Sequence, residues 1–253
     1  MQKPKAIAFD LDGTLAESKQ KMTDEMGKLF AELTTVMPSA IMSGAGFFQF
    51  EKQFLPAVSA EAKLENLYIF PVNAAQCYVY QDGSWTPKYD HAFTPEEKET
   101  ILTELHKALA EAGLAEEPAQ LWGERIEDRS AQFSFSPLGQ QAPVDAKRRW
   151  AESYNDKRKQ IHSILLKTLP GFAIAMGGLT TIDITRKGIT KAFGVRQLSE
   201  ITGVPIADML YVGDALGEGG NDSVVLQTGV PTHSVTGPHE TAELIEDIVR
   251  QGS

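Results

Sequence analysis

The sequence predicts an α/β fold, built as a three-layer core with a parallel sheet and an inserted α+β unit. Three observations predict it. Short apolar runs of strand length alternate with helical patterns near both ends of the chain. The middle of the chain shows a different order of elements, with more charged helices. The 253 residues are enough for one core and one inserted unit.

The first part of the core is predicted over residues 1–83. AIAFD is a short apolar run typical of a buried parallel strand. Apolar residues at helical spacing then predict a helix, namely Met22, Met26, Leu29, Phe30 and Leu33. VMPSAIMSG predicts the next strand, GFFQFEKQFLPAV a helix, and NLYIF and QCYVYQDGSW further strands, the last turning at Asp82-Gly83.

The inserted unit is predicted over residues 84–185. Its expected order is helix, strand, helix, strand, strand, from PEEKETILTELHKALAEAG, RSAQFSFSPLG, VDAKRRWAESYNDKRKQIHSILLKTLP, FAIAMGG and LTTIDIT. The core pattern resumes over residues 186–253, with helices at KAFGVRQLSEITG, NDSVVLQTG and TAELIEDIVRQ and a buried strand at MLYVGDA.

Composition narrows the function classes. The formal net charge of −10 disfavours a nucleic-acid partner, because a polyphosphate backbone would be repelled. The single cysteine, Cys77, rules out an intramolecular disulfide and predicts a packed thiol. The sequence shows neither a signal-peptide pattern nor an apolar run long enough to cross a bilayer, which predicts a cytoplasmic protein without a membrane partner.

The strongest chemical signal is FDLDGTL. Asp10 would end the first strand at the carboxyl edge of the sheet, where open α/β folds bind ligands, and Asp12 lies two residues on. Two adjacent carboxylates repel each other, and Mg²⁺ would relieve that repulsion while binding a phosphate oxygen. Asp10 could then attack phosphorus while Asp12 donates a proton to the leaving alcohol. The alternative is a solvated acidic turn.

A second acidic strand end strengthens the prediction of a metal site. Asp214 follows the apolar run MLYVG, and Asn221 and Asp222 lie across a glycine-rich loop. Ser43 and the backbone N–H of Gly44 follow another predicted strand, where they could donate to a phosphoryl oxygen. Lys191, near a helix start, adds a positive charge. Each of these residues alone is weak evidence, whereas their shared placement at strand and helix ends favours a phosphoryl-transfer site.

With these motifs in place, the chain resembles the haloacid dehalogenase superfamily of phosphotransferases. FDLDGTL is similar to its first motif, Ser43 to its second, Lys191 to its third, and GDALGEGGND to its fourth. The resemblance implies a Rossmann-like core, with the insertion as an α/β cap of subclass IIB.

A narrower resemblance is to the eukaryotic-type phosphomannomutases and their bacterial relatives, which share the longer loop ending in GGND. IFPVNA, FSPLG and GGLTTIDITRKGITK are also similar. The resemblance implies a nucleophile at Asp10, an acid–base at Asp12, and Mg²⁺ held by Asp10, the Asp12 carbonyl and Asp214. It implies that Asn221 and Asp222 order the loop, and that the cap provides dimer contacts. In the cap, Arg129 would bind substrate phosphate, while Thr181 and Asp183 would contact the sugar.

Three positions depart from the mutase pattern, in which arginines grip a phosphate. The arginines of the mutases fall at Lys19, at Gln140 and near Lys147 of this chain. Because lysine lacks the planar fork of arginine and glutamine lacks charge, the expected grip on a second phosphate is weaker. Arg148 and Arg149 could compensate with Lys147, or the three could form a solvated helix face.

We therefore predict a Mg²⁺-dependent phosphatase that hydrolyses a small phosphorylated metabolite through an aspartyl phosphate, with a sugar phosphate as the favoured substrate. The alternative is a phosphomannomutase-like isomerase that interconverts hexose 1- and 6-phosphates. A non-catalytic binding protein is disfavoured, because Asp10, Asp12, Lys191 and Asp214 are all retained.

Overall fold

A computed structural model describes residues 3–17 and 20–251. It divides into two compact units, a core formed by the chain up to Asp90 and from Ile189 onward, and an inserted unit at His91–Gly188. Residues 84–90, predicted within the insertion, instead form a strand that pairs with the strand before it, so they belong to the core. Residues 186–188, predicted in the core, lie in the inserted unit.

The core is built on a mixed sheet of seven strands in the order β11-β10-β1-β2-β3-β4-β5. The five strands from β11 to β3 are parallel, whereas β4 and β5 are antiparallel additions at one edge. The strands are β1 (Ala6–Asp10), β2 (Ser39–Met42), β3 (Leu67–Phe70), β4 (Gln76–Gln81), β5 (Ser84–Asp90), β10 (Met209–Gly213) and β11 (Thr232–Ser234).

Helices cover both faces of this sheet, which explains why β1, β2 and β10 are buried throughout. One apolar cluster contains Phe9, Phe30 and Ile245, and a second contains Ala8, Val195 and Tyr211. The core helices are α1 (Asp24–Val36), α2 (Phe47–Gln53), the single irregular turn α3 (Pro71–Ala74), α6 (Lys191–Thr202) and α7 (Pro238–Arg250).

The inserted unit has its own four-stranded antiparallel sheet, in the order β6-β7-β9-β8. Its strands are β6 (Ile126–Asp128), β7 (Gln132–Phe135), β8 (Phe172–Gly177) and β9 (Thr181–Arg186), and its helices are α4 (Pro95–Glu111) and α5 (Val144–Thr168). Phe133, Phe135, Ile182 and Ile184 pack with the helices in one apolar cluster. Because side chains alternate between the two faces of a strand, Ser134 on β7 and Asp183 on β9 lie on the face of the sheet away from this cluster.

The local differences from the sequence predictions have simple causes. β6 and β11 are three residues long, too short to show a periodic pattern. The helix predicted from NDSVVLQTG is a 3-10 helix at Ser223–Thr228, which ends at Gly229 in the left-handed conformation. Cys77 is buried, as predicted for a packed thiol. In the described part of the chain, no helix combines the length and apolar character that spanning a bilayer requires.

Candidate active site

Three neighbouring parallel strands of the core end at the same edge of the sheet. Asp10 is the last residue of β1 and lies opposite Met42, the residue before Ser43. On the other side, Phe9 lies opposite Val212, two residues before Asp214. The register of the sheet therefore brings Asp10, Ser43 and Asp214 to one edge.

A buried lysine connects two of the carboxylates. Lys191 is the first residue of α6 and is 1% exposed. Its Nζ donates to Asp10 Oδ1 at 2.5 Å and to Asp222 Oδ1 at 2.6 Å. The Tyr211 hydroxyl also donates to Asp222 Oδ1, at 2.6 Å. This network fixes the nucleophile candidate between a strand end and a helix start.

Burial and charge perturb the protonation of the centre. Burial raises the pKa of Asp10 to about 6; Lys191 opposes the shift, and repulsion from Asp222 adds to it. Burial also raises the pKa of Asp214, with repulsion from Asp222 as the next cause. Burial opposes the charge on Lys191, but attraction to Asp10 and Asp222 outweighs it and raises the pKa of the ammonium.

The carboxylates are packed against glycines, which explains two of the glycines in the motifs. A Cβ on Gly13 would lie 2.5 Å from Asp214 Oδ2, and one on Gly213 would lie 2.5 Å from Asp222 Oδ2. Gly13 also has a φ of +81°, which L side chains rarely adopt. A side chain at either position would displace a carboxylate.

The donor set fits a hard divalent cation. Carboxylate oxygens of Asp10, Asp214 and Asp222 all lie within 4.8 Å of one another, so the three residues could hold a metal ion. Asp222 also ties the loop together, since Ala215 N donates to its Oδ2 and its own N–H donates to Ala215 O. Asn221, predicted beside it, is an exposed residue of the same loop.

The segment after β2 is held by a strained turn. The Ser43 hydroxyl accepts from Ala45 N, and its carbonyl accepts from Asn73 N. A Cβ on Gly44 would lie 3.4 Å from the Asn73 amide nitrogen. Val72, Asn73 and Ala74 have φ values of 53°, 54° and 69°, three successive left-handed residues that cost backbone energy.

Asp12 has a partner that sequence patterns did not reveal. Gln53 Nε2 donates to Asp12 Oδ1 at 3.0 Å, and Gln49 Nε2 donates to Gln53 Oε1 at 3.1 Å. The sequence patterns also gave no sign of the contact between Tyr211 and Asp222. A glutamine on an amphipathic helix and a tyrosine inside an apolar strand carry no motif of their own, so only the fold reveals these contacts.

The inserted unit carries a separate polar cluster on the face of its sheet away from the helices. Ser134 and Gln132 donate to Asp183 Oδ1 at 2.7 and 3.0 Å. Burial raises the pKa of Asp183, although these donors and the nearby Arg129 oppose the shift. Arg129 also pairs with Glu127, its Nη2 lying 2.6 Å from the carboxylate. Thr181 is two residues before Asp183 on β9 and thus shares its face.

Two of the residues that differ from the mutase pattern, Gln140 and Lys147, contact each other in this unit. Lys147 is buried, and its Nζ donates to the Gln140 carbonyl at 3.1 Å. The Gln140 side chain donates to the Ser134 carbonyl at 2.7 Å. Arg148 and Arg149 are exposed, so the three basic residues do not form one face. Lys19 lies outside the described residues.

Comparisons with known proteins agree on the superfamily. The profile described as eukaryotic phosphomannomutase matches residues 26–251. The phosphomannomutase of Spinacia oleracea is 26% identical over 266 residues, covering 97% of this chain and 96% of its own. Human phosphomannomutase 1 is 23% identical over 248 residues, covering 95% and 90%.

Solved structures show the same fold at low identity. A C-terminally truncated IMP-nucleotidase of Plasmodium falciparum superposes with a TM-score of 0.69 at 14% identity, over 98% of this chain and 72% of its own. Trehalose-6-phosphate phosphatase of Aspergillus fumigatus gives 0.60 at 13% identity, over 98% and 93%.

Fold and sequence relatives define the class: this protein is an enzyme of the haloacid dehalogenase superfamily. Within it, the chain belongs to the eukaryotic phosphomannomutase family, whose profile covers most of its length. These findings correct the prediction of a phosphatase, because the sequence relatives across several species are phosphomannomutases. The departures from the arginine pattern concern three positions, whereas the similarity to the phosphomannomutases extends over nearly the whole chain.

Proposed function

We propose that this protein is a Mg²⁺-dependent mutase that interconverts hexose 1-phosphate and hexose 6-phosphate, with mannose phosphates as the first substrates to test. The observation that carries the proposal is the cluster of Asp10, Asp214 and Asp222, with Lys191 bonded to two of them, in a chain whose relatives are phosphomannomutases. The hydrogen bonds that Lys191 makes to Asp10 and Asp222 support turnover rather than binding alone.

In this proposal, Asp10 is the nucleophile. Its carboxylate oxygen forms a bond to phosphorus as the bond from phosphorus to the sugar oxygen breaks, and Asp12 gives its proton to that oxygen. The phosphoryl group on Asp10 comes from hexose 1,6-bisphosphate. The free hydroxyl of a hexose monophosphate then attacks the aspartyl phosphate as the bond from phosphorus to Asp10 breaks, and Asp12 takes the proton of that hydroxyl. The bisphosphate formed turns around and returns its other phosphoryl group to Asp10. The phosphoryl group thereby moves between two hydroxyls without net hydrolysis.

The remaining core residues stabilise charge. Asp10, the Asp12 carbonyl and Asp214 would hold Mg²⁺, with Asn221 and Asp222 ordering the loop, and the ion when bound supplies positive charge to the phosphoryl oxygens. Lys191 holds Asp10 in place and adds charge beside the same group. The Ser43 hydroxyl and Gly44 N–H would donate to the phosphoryl oxygens.

The inserted unit would act as the cap that selects the substrate and excludes bulk water. Arg129 and Lys147 would bind the non-reacting phosphate, and Thr181 and Asp183 would bind sugar hydroxyls. Asp183 is already held by two donors, which supports a fixed acceptor for a hydroxyl. A homodimer formed through this unit is a further proposal, to be tested by analytical ultracentrifugation.

Phosphorus NMR tests the proposal directly. The purified protein with Mg²⁺ is incubated separately with mannose 1-phosphate and mannose 6-phosphate, each with and without a trace of hexose 1,6-bisphosphate. We expect bisphosphate-dependent interconversion of the two esters. Release of inorganic phosphate without interconversion would overturn the mutase proposal, and unchanged esters would exclude mannose phosphates as its substrates.

A further inference from the structure

The side chain of Gln53 contacts the carboxylate of Asp12, the acid–base of the proposed mechanism. Gln53 is the last residue of α2 and is 2% exposed. Its Nε2 lies 3.0 Å from Asp12 Oδ1. Its backbone carbonyl accepts from Met22 N at 2.8 Å, which fixes the end of the helix beside the segment that follows the first motif.

Gln49 determines which way the Gln53 amide points. The two residues are four apart on α2 and thus share a face. Gln49 Nε2 donates to Gln53 Oε1 at 3.1 Å, so the amide oxygen of Gln53 is engaged on the side away from Asp12. An ionised carboxylate can only accept, so Gln53 must present its NH₂ to Asp12. The two glutamines form a one-way chain of donors that ends on Asp12.

We propose that Gln53 is a positioning residue for the acid–base step, because its hydrogen bond holds the Asp12 carboxyl group in one orientation. The bond to Oδ1 restricts rotation of the carboxyl group, which keeps its other oxygen, Oδ2, in one direction for proton exchange with the sugar oxygen. This inference rests on the proposed role of Asp12 in phosphoryl transfer.

Two phosphate esters whose leaving groups differ in basicity can distinguish a positioning role of Gln53 from a purely structural role. A sugar alkoxide needs a proton as its bond to phosphorus breaks, whereas p-nitrophenolate leaves as a stable anion. We expect Gln53→Leu, which preserves volume, to lower kcat for mannose 1-phosphate roughly 10–100-fold with little change in KM, as for a misplaced catalytic group. The pre-steady-state burst of p-nitrophenolate from p-nitrophenyl phosphate should change less than about threefold.

Matched variants complete the test. Gln49→Leu should show a smaller loss of the same kind, because it frees the Gln53 amide to turn. Gln197→Leu, at a glutamine that contacts Glu200 on the surface of α6, should match the wild type. Equal losses with both phosphate donors, or a loss that appears in KM, would show that Gln53 only supports the local fold and would overturn the inference.

Asp12→Asn distinguishes failure of this inference from failure of the proposed function. If Asp12→Asn slows the sugar phosphate strongly and spares the aryl phosphate, Asp12 is the acid–base, and an unaffected Gln53→Leu enzyme would refute the positioning role alone. If Asp12→Asn shows no such selectivity, the proposed chemistry itself is wrong. If the wild type gives no measurable burst, the effects of Gln53→Leu on kcat and on KM for mannose 1-phosphate decide between the positioning role and the structural role.

Discussion

The ammonium group of Lys191 lies 2.5 Å from a carboxylate oxygen of Asp10, and both side chains are almost completely buried. The same nitrogen lies 2.6 Å from Asp222. Asp214 lies nearby, so the cluster contains three carboxylates and one ammonium group and carries excess negative charge. This balance makes the cluster suited to a divalent cation and makes its stability depend on Lys191.

Replacing Lys191 with methionine should destabilise the core. The change leaves Asp10 and Asp222 buried without their shared positive partner, which costs about 3–5 kcal/mol for comparable buried pairs. The measurement is urea denaturation in the presence of EDTA. Lys98→Met, which removes the more exposed pair between Lys98 and Asp128, should cost no more than about 1 kcal/mol. A Lys191→Met protein as stable as the wild type would contradict this account of the charge balance.

The contribution of Asp10 to the stability of the metal-free protein should fall as pH rises from 4 to 6. The pKa of Asp10 is raised from 3.8 to about 6 by burial, against the attraction of Lys191 and with repulsion from Asp222. A raised pKa means that the folded state retains the proton more tightly, so the stabilisation is full below pH 3.8 and is lost as pH passes 6. The shift corresponds to roughly 3 kcal/mol.

Urea titrations in EDTA at pH 4 and pH 7 give the free energy of unfolding of the wild type and of Asp10→Asn. The difference between the two proteins isolates the contribution of Asp10. The asparagine variant should lack the Asp10 part of the pH dependence, since it has no proton to lose. Mg²⁺ should act in the opposite sense, because it binds the ionised carboxylates and therefore stabilises more as pH rises. Identical pH profiles for the two proteins would show that Asp10 titrates normally.

Asp10→Asn should also abolish turnover while leaving the fold intact. The amide is nearly isosteric but is not a nucleophile, so no aspartyl phosphate can form, and a loss of at least about 10⁴-fold is expected. Activity is followed by phosphorus NMR, and folding by circular dichroism and the melting temperature. Asp156→Asn, at a fully exposed side chain, serves as the control. Retained activity in Asp10→Asn would remove Asp10 from the mechanism.

Much of the core follows from sequence patterns, because burial on both faces of parallel strands leaves continuous apolar runs. AIAFD and MLYVG are such runs, and the residues at their ends, Asp10 and Asp214, meet as expected at one sheet edge. The antiparallel edge strand β5 has a less distinctive sequence pattern. Ser84–Asp90 contains Pro87 and only half-buried or exposed side chains, so its pattern does not distinguish a strand from a linker.

The supporting contacts of the site depend on tertiary structure alone. Gln53 and Asp12 are 41 positions apart, and nothing in the spacing pairs them. The substrate chemistry also could not be read from arginine counts. Lys147 and Gln140 contact each other within a polar cluster that a list of charges does not reveal.

Lys147 provides the test of that cluster. Its buried side chain combines a positive charge with a tether to the Gln140 carbonyl, so Lys147→Met should remove both. If Lys147 grips the non-reacting phosphate, interconversion of the hexose phosphates should fall roughly 10–100-fold, through loss of a charge-assisted hydrogen bond of about 1.5–3 kcal/mol. Lys147→Arg should stay within a few-fold of the wild type, since arginine retains the charge and can grip phosphate with two donors.

Arg148→Met is the matched control, because Arg148 is the next residue on α5 and is exposed. We expect it to leave both KM and kcat within about twofold of the wild type, as for a solvated surface charge. Steady-state kinetics with mannose 1-phosphate and hexose 1,6-bisphosphate give both constants. Equal losses in Arg148→Met and Lys147→Met would assign the phosphate grip to the general charge of the helix. A loss confined to Lys147→Met would assign it to the buried cluster and show that a lysine can take the place of an arginine there.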